Sequence, residues 1–280
     1  MEHSAGAGAD TGGQDIARAF VAARRAGASL PGFPGAIPGD LVAAYRVQDL
    51  AIAMWPDRVA GWKVGYIGED RRDDSGDERL LGPIFARSLQ AGDGTVPLPV
   101  FVGGFAAIEA EYVLRLEADA PADKLDWTPD DAAALPASLF VGLEIASSPL
   151  ATINALGPRV VVSDFGNNNG LVLGPEIPAW RQLPEAALRA VTRIDGQVVG
   201  EGGAMRLPGG LLAAYAFALS RSARRGRPLR AGDLVATGNA TGIHDIRVGQ
   251  QAHVDFGPHG GISGRAVAAT PSDPAAGGSA

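Results

Sequence analysis

Two textures of hydrophobic and polar positions divide the chain near residue 59. Before it, "DIARAFVAARRAG" sets apolar side chains at helical spacing and ends on Gly27, a left-handed stop signal. "PGFPGAIPG" reads as a loop, and Asp40 is placed to cap a second helix, "LVAAYRVQDLAIAMW", which Pro56 ends. Beyond it come short apolar runs punctuated by Gly, Pro and Asp: "VAGWKVGYI", "TVPLPVFV", "AIEAEYVLRL", "ASLFVGLEIA", "GLVLG", "AVTRIDGQVVGEG", "GDLVATG", "QAHVDFG" and "ISGRAVAA". Asp-Gly inside "RIDGQVVG" signals a hairpin. "TPDDAAALP" and "GLLAAYAFALSRSARRG" are helical interruptions, and no internal repeat is visible.

This order predicts a helical N-terminal lobe over 14–58 and a β-rich domain over 59–270. Residues 1–13 and 271–280, rich in Gly, Ala and Ser, are expected to be flexible tails. Strands joined by turns rather than regular helices point to an α+β roll or barrel-like sandwich, not a doubly wound sheet.

The strand "IEAEYVLRL" carries an anomaly. Alternation puts Glu109 and Glu111 on one face, opposite the core side chains Ile108, Ala110, Tyr112, Leu114 and Leu116. Alone, the pair reads as a solvated face, because Val113, Arg115 and Glu117 continue its parity. A third carboxylate, Glu144, stands near the centre of the apolar run "LFVGLEIASS". Three carboxylates in core strands need a shared counter-charge, from arginines or from a hard divalent cation. Magnesium suits a few carboxylates with positions left for ligand oxygens, and no His or Cys stands nearby to favour zinc.

Composition sharpens the choice of base. Of 24 basic residues only Lys63 and Lys124 are lysine. Lys63 lies mid-strand in "VAGWKVGYIG" with Gly61 and Gly65 on its own face. A chain that otherwise uses arginine and puts one lysine among glycines points to a compact amine that can exchange a proton. Asp164, Asn167, Asn168 and Asn169 form a polar loop in "VVVSDFGNNNGLVLG", either a plain turn or a set of groups for substrate oxygens and water. "GDLVATGNATG" could present backbone N–H groups to an anion but lacks a phosphate-loop Gly-Lys-Ser/Thr. His244, His253 and His259 read as structural.

The net charge of −7 argues against nucleic acid or an anionic membrane as partner. The absence of cysteine excludes disulfides, zinc–thiolate sites and thiol nucleophiles. No secretory signal pattern opens the chain and no run of ~18 apolar residues occurs, so a cytoplasmic location is expected.

Taken in order, "GWKVG", "GPIFA", "IEAEYVLRL", "GLEIASS", "SDFGNNNGLVLG" and "PLRAGDLVATG" resemble the 2-keto-4-pentenoate hydratase family. That family includes 4-oxalocrotonate decarboxylase, within the fumarylacetoacetate hydrolase superfamily. The resemblance covers roughly residues 14 to 270. It implies a mixed β-sandwich roll of the fumarylacetoacetate hydrolase C-terminal type with a small helical N-terminal lobe, assembled into homo-oligomers. It further implies that Glu109, Glu111 and Glu144 bind magnesium or manganese, that Lys63 is the acid/base, and that Thr237 with Gly238 meets the substrate carboxylate. Asn167 and Asn168 are expected to bind substrate, and Asp164 to position water. The chain departs from the common pattern at Leu80, where relatives carry Asp, and at Ser148-Pro149, where they carry Ser-Arg, so Leu80 and Ser148 are expected at the substrate end.

The implied activity is hydration of a small acidic 2-hydroxy-2,4-dienoate, or its 2-oxo tautomer, to a 4-hydroxy-2-oxo acid, in the catabolism of aromatic compounds. Decarboxylation of a 2-oxo-enedioate ranks second. Carbon–carbon bond hydrolysis ranks third, because "GEDRRDDSGDERL" (a lid candidate) lacks the histidine that such hydrolases use. A non-catalytic metal- or ligand-binding relative is the alternative of another class.

Overall fold

The computed structural model describes residues 5–271. Two helices open it, α1 (Ala5–Ala26) and α2 (Leu41–Met54). Gly27 stops α1 at φ +61°, and the Asp40 carboxylate caps α2 by accepting from Ala43 N at 2.7 Å. Residues 5–13, expected in a flexible tail, instead continue α1 toward the N-terminus. The remaining tail residues, 1–4 and 272–280, lie outside the described residues.

The body is two mixed sheets. The larger takes the order β2 (Arg79–Phe85), β1 (Val59–Tyr66), β10 (Leu234–Asp245), β5 (Phe105–Leu116), β6 (Ala137–Ser148), β7 (Asn168–Glu176) and β3 (Leu89–Ala91). The smaller runs β4 (Thr95–Val100), β12 (Gly261–Ala268), β11 (Gln251–Asp255), β8 (Arg189–Ile194) and β9 (Gln197–Gly203). The expected hairpin forms between β8 and β9, with Asp195 and Gly196 both at positive φ as a primed turn requires.

Short helices fill the crossings: α3 (Pro129–Ala134), α4 (Ile153–Leu156), α5 (Pro158–Ser163) and the longer α6 (Gly210–Arg224). Ile108, Ala110, Tyr112, Leu114, Leu139, Val141 and Leu143 face the main core, which the smaller sheet closes with Leu98, Val254, Phe256 and Ile262 and α6 with Leu211, Tyr215 and Leu219. Ile16 and Phe20 of α1 and Leu41 and Tyr45 of α2 join that same core, so the helical lobe has no separate interior.

The opposite face of the large sheet positions the site. Val113, Phe140, Leu171, Leu234, Ala236 and Ile84 form a second, smaller apolar cluster there. The solvated reading therefore fails at Glu109 and Glu111, which are buried, and holds only at the far end, where Arg115 is half-buried and Glu117 exposed. Strand β2 is absent from the sequence expectation because Gly82 and Pro83 interrupt "RLLGPIF". Gly82 is needed: a Cβ there would meet Phe165 O at 2.2 Å. That close approach lets the turn after α5 lie directly on the sheet, level with Lys63, which pairs with Gly82 in register.

Gly82→Ala is expected to cost about 1–3 kcal/mol, since backbone must move to admit the methyl. Gly32→Ala, in open space, is the control. Urea unfolding of both checks this, with only the first midpoint falling.

Candidate metal centre and active site

Strand pairing alone brings the three glutamates together. Glu109 stands directly across from Glu144 on β6, and Glu111 lies opposite Gly142, whose missing side chain leaves room beside it. One oxygen from each carboxylate lies within 4.8 Å of the others, and all three residues are buried. Among the described residues this is the one group of three or more potential metal ligands.

Two of the cluster's six oxygens accept hydrogen bonds. Glu111 Oε2 accepts from Gly238 N at 2.6 Å, and Glu144 Oε1 accepts from Asn168 Nδ2 at 3.0 Å. Lys63 Nζ sits 3.4 Å from Glu144 Oε1 and donates to Asn167 Oδ1 at 3.1 Å. Glu109 Oε1, Glu111 Oε1 and Glu144 Oε2 are buried with no partner. A buried carboxylate oxygen without a hydrogen bond is costly, and one on each of three converging carboxylates fits a hard divalent cation.

The electrostatics agree. Burial, opposed by Lys63 and helped by Glu144, pushes Glu109 up to about 7. Burial and then the neighbouring Glu144 and Glu109 raise Glu111 well above the carboxylate range. Burial works against the Lys63 ammonium, but attraction to Glu144, Glu109 and Glu111 outweighs it and holds its pKa up. A cation among these oxygens would favour ionisation of all three carboxyls.

The open side of the cluster is a cleft of about 200 Å3. Lys63, Glu109, Asn154, Asn167 and Asn239 bring polar atoms to it, Leu80, Ile67, Val161 and Ile243 give it an apolar wall, and Arg71 stands at the rim. Asn239 stands beside Glu109 and favours its ionised form. The rim is tied across by Arg71, which donates to the carbonyls of Asn154 at 2.7 Å and Ala155 at 2.9 Å. Gly65 leaves the space that the Leu80 side chain fills.

Four expected site residues have different partners. Asp164 does not reach the cleft: it is 1% exposed, and both its oxygens are held by Arg24, at 2.5 and 2.9 Å. Ser148 donates to the same carboxylate at 2.6 Å, so it faces Asp164 rather than substrate. Thr237 Oγ1 donates to Tyr112 O at 2.8 Å, and Thr237 lines an adjoining pocket with Arg79, Arg206 and Leu207 that shares Tyr66 and Asn239 with the cleft. One extra residue in β10 near Thr237–Gly238 turns Gly238 N onto Glu111, so the expected anion-binding amide serves the chain's own carboxylate.

Asn167 and Asn168 owe their placement to an unusual backbone. Phe165, Gly166 and Asn167 have φ of +52°, +64° and +57°, three left-handed residues in succession. For the two non-glycines this costs of order 1–3 kcal/mol each. Sequence reasoning missed Asn154, Asn239, Arg71 and Arg24. Asn239 had a signal in "ATGNATG"; the others sit on elements that only the fold brings near.

No protein-family model matches the chain. The architecture is that of 4-oxalocrotonate decarboxylase from Pseudomonas putida G7, solved with magnesium and adipate: TM-score 0.75 and 20% identity over 91% of this chain and 97% of that one. Fumarylpyruvate hydrolase from Pseudomonas aeruginosa, solved with Mn2+ and pyruvate, gives TM-score 0.53 and 19% identity over 75% of this chain and 90% of that one. The fold is therefore the one those two enzymes share, a mixed β-sandwich roll with helices.

Sequence narrows this further. The chain is 30% identical to 2-keto-4-pentenoate hydratase of Burkholderia vietnamiensis over 204 residues, covering 71% of this chain and 76% of the relative. It is 29% identical to 2-keto-4-pentenoate hydratase of Paraburkholderia phymatum, over 71% of this chain and 76% of that relative. The chain belongs to the 2-keto-4-pentenoate hydratase family.

If the three free oxygens hold a cation, magnesium should stabilise the fold. At about 100 times Kd the gain is about 2.7 kcal/mol. Thermal melts in EDTA and in magnesium should differ accordingly, and Glu144→Gln should abolish the difference.

Proposed function

We propose that this protein is a magnesium- or manganese-dependent hydratase that adds water to a small 2-hydroxy-2,4-dienoate, giving a 4-hydroxy-2-oxo acid. The observation that carries the reading is the convergence of three buried carboxylates, each with one unpartnered oxygen, beside one buried lysine, in a chain of this family. In this reading Glu109, Glu111 and Glu144 are the metal ligands, and the bound cation supplies Lewis-acid stabilisation of negative charge developing on the substrate's 2-oxygen.

The chain's own residues do the rest. Lys63 Nζ, held by Glu144 and Asn167 at the cleft surface, moves the proton that converts the dienol to the α,β-unsaturated 2-oxo acid, from the 2-hydroxyl to carbon 5. Water then adds at carbon 4 and carbon 3 takes the last proton. Asn154 and Asn239, with side chains in the cleft, are the groups available to orient that water. The apolar wall of Leu80, Ile67, Val161 and Ile243 suits the hydrocarbon end and excludes bulk water.

One observation favours decarboxylation of a 2-oxo-enedioate as the second reading: Arg71 offers a cation at the cleft rim for a distal carboxylate. A cytoplasmic homo-oligomer completes the proposal; Val198 and Val199 of β9, the end strand of the smaller sheet, stand exposed and available to a second copy. The absence among the described residues of a helix long and apolar enough to cross a membrane accords with it.

Freshly prepared 2-hydroxypentadienoate mixed with protein and magnesium tests the reading by its ultraviolet band. Hydration predicts loss of the band without carbon dioxide; release of carbon dioxide from an enedioate would favour the second reading. Persistence of the band with metal bound would leave only a binder. Lys63→Met should lower kcat by about 10²–10⁴-fold, the usual range for a general acid/base, while magnesium still binds.

A further inference from the structure

We propose that Arg24, at the end of α1, is a positioning residue for the metal centre: through Asp164 it clamps the left-handed turn that delivers Asn167 to Lys63 and Asn168 to Glu144. This rests on the hydratase reading for the reaction, but the positioning itself rests on geometry.

The guanidinium is 6% exposed and makes six hydrogen bonds to three segments. Nε and Nη2 grip the two Asp164 carboxylate oxygens at 2.5 and 2.9 Å. Nη2 also donates to the Asp164 and Ser147 carbonyls, each at 3.2 Å. Nη1 donates to the Asn168 carbonyl at 3.0 Å and to Asn169 Oδ1 at 3.2 Å. The clamp thus holds residues 164, 168 and 169, both sides of the left-handed stretch at 165–167.

Phe165, inside that stretch, is fixed as well. Its ring packs edge-on against Phe85 at 5.0 Å and Trp55 at 5.6 Å, with the Arg24 guanidinium 5.1 Å from its centroid. A left-handed run containing two non-glycine residues persists only where its surroundings over-determine it. Here the surroundings are the planar fork of Arg24, the Asp164–Ser148 hydrogen bond and the Gly82 backbone beneath. Released from them, Asn168 would lose its line to Glu144, and Asn167 its line to Lys63. Arg24, at the C-terminal end of the helix, therefore positions the site without touching substrate.

Arg24→Met alone would strand the buried Asp164 charge and could unfold the chain, so the informative protein is Arg24→Met/Asp164→Asn, which removes both charges together. We expect it to fold with a cooperative melt, to bind magnesium about 10-fold more weakly by calorimetry, and to lose about 10–100-fold in kcat, the range for groups that orient metal ligands. KM should change less than kcat. Phe20→Leu, which loosens the same helix away from the turn, should lower Tm yet leave magnesium affinity and kcat unchanged.

A folded double variant with wild-type magnesium affinity and kcat would overturn the proposal, as would equal losses in Phe20→Leu. A wild-type protein that binds magnesium but leaves the dienoate untouched would sink the hydratase reading instead, and magnesium affinity would still decide the role of Arg24.

Discussion

Three carboxylates and one ammonium buried in the middle of a sheet dominate this structure, because water solvates none of the four well. Lys63 lies between Glu144 and Asn167, and Gly238 N and Asn168 Nδ2 each take one carboxylate oxygen. Those contacts leave one oxygen of each carboxylate without a partner. Such an arrangement is unfavourable for a core and suited to a cation site, and the surrounding chain is shaped to tolerate it.

The shaping is visible in the glycines and in the division between lysine and arginine. Gly65, Gly82 and Gly142 remove side chains from the face that carries the cluster, which lets Leu80, the strained turn and Glu111 take the space. Lysine supplies the one compact ammonium inside the cluster, at Lys63. Arginine occurs where a fixed fork must hold geometry, as Arg24 does at Asp164 and Arg71 does across the cleft rim. A site built on β1, β5 and β6 inherits their rigidity, and the asparagines reach it from a turn locked down on three sides.

Much of this was legible along the chain. Period-two alternation identified Glu109 and Glu111 as one face, and Asp-Gly fixed the β8–β9 hairpin, because both signals are local. The caps at Gly27 and Asp40 were read for the same reason. Strand β2 escaped, since Gly82 and Pro83 look like a turn until the contact with Phe165 is known. The helix α1 extends through residues whose Gly-Ala-Ser composition suggested a tail. Asp164 and Ser148 looked like pocket residues because they flank one in sequence, yet their carboxylate–hydroxyl pair points toward Arg24.

The sequence by itself determined most element types, the shared face of the Glu-x-Glu strand, the singular lysine and the family, all carried by short-range spacing or by residue identity. Only the tertiary structure decided which polar groups meet. Pairing of β5 with β6 set Glu109 opposite Glu144, and a helix end some 140 residues from Asp164 in sequence supplied that residue's counter-charge. Such contacts depend on strand register and close backbone approach, which are settled by the packing of the whole chain and leave no mark in any local window.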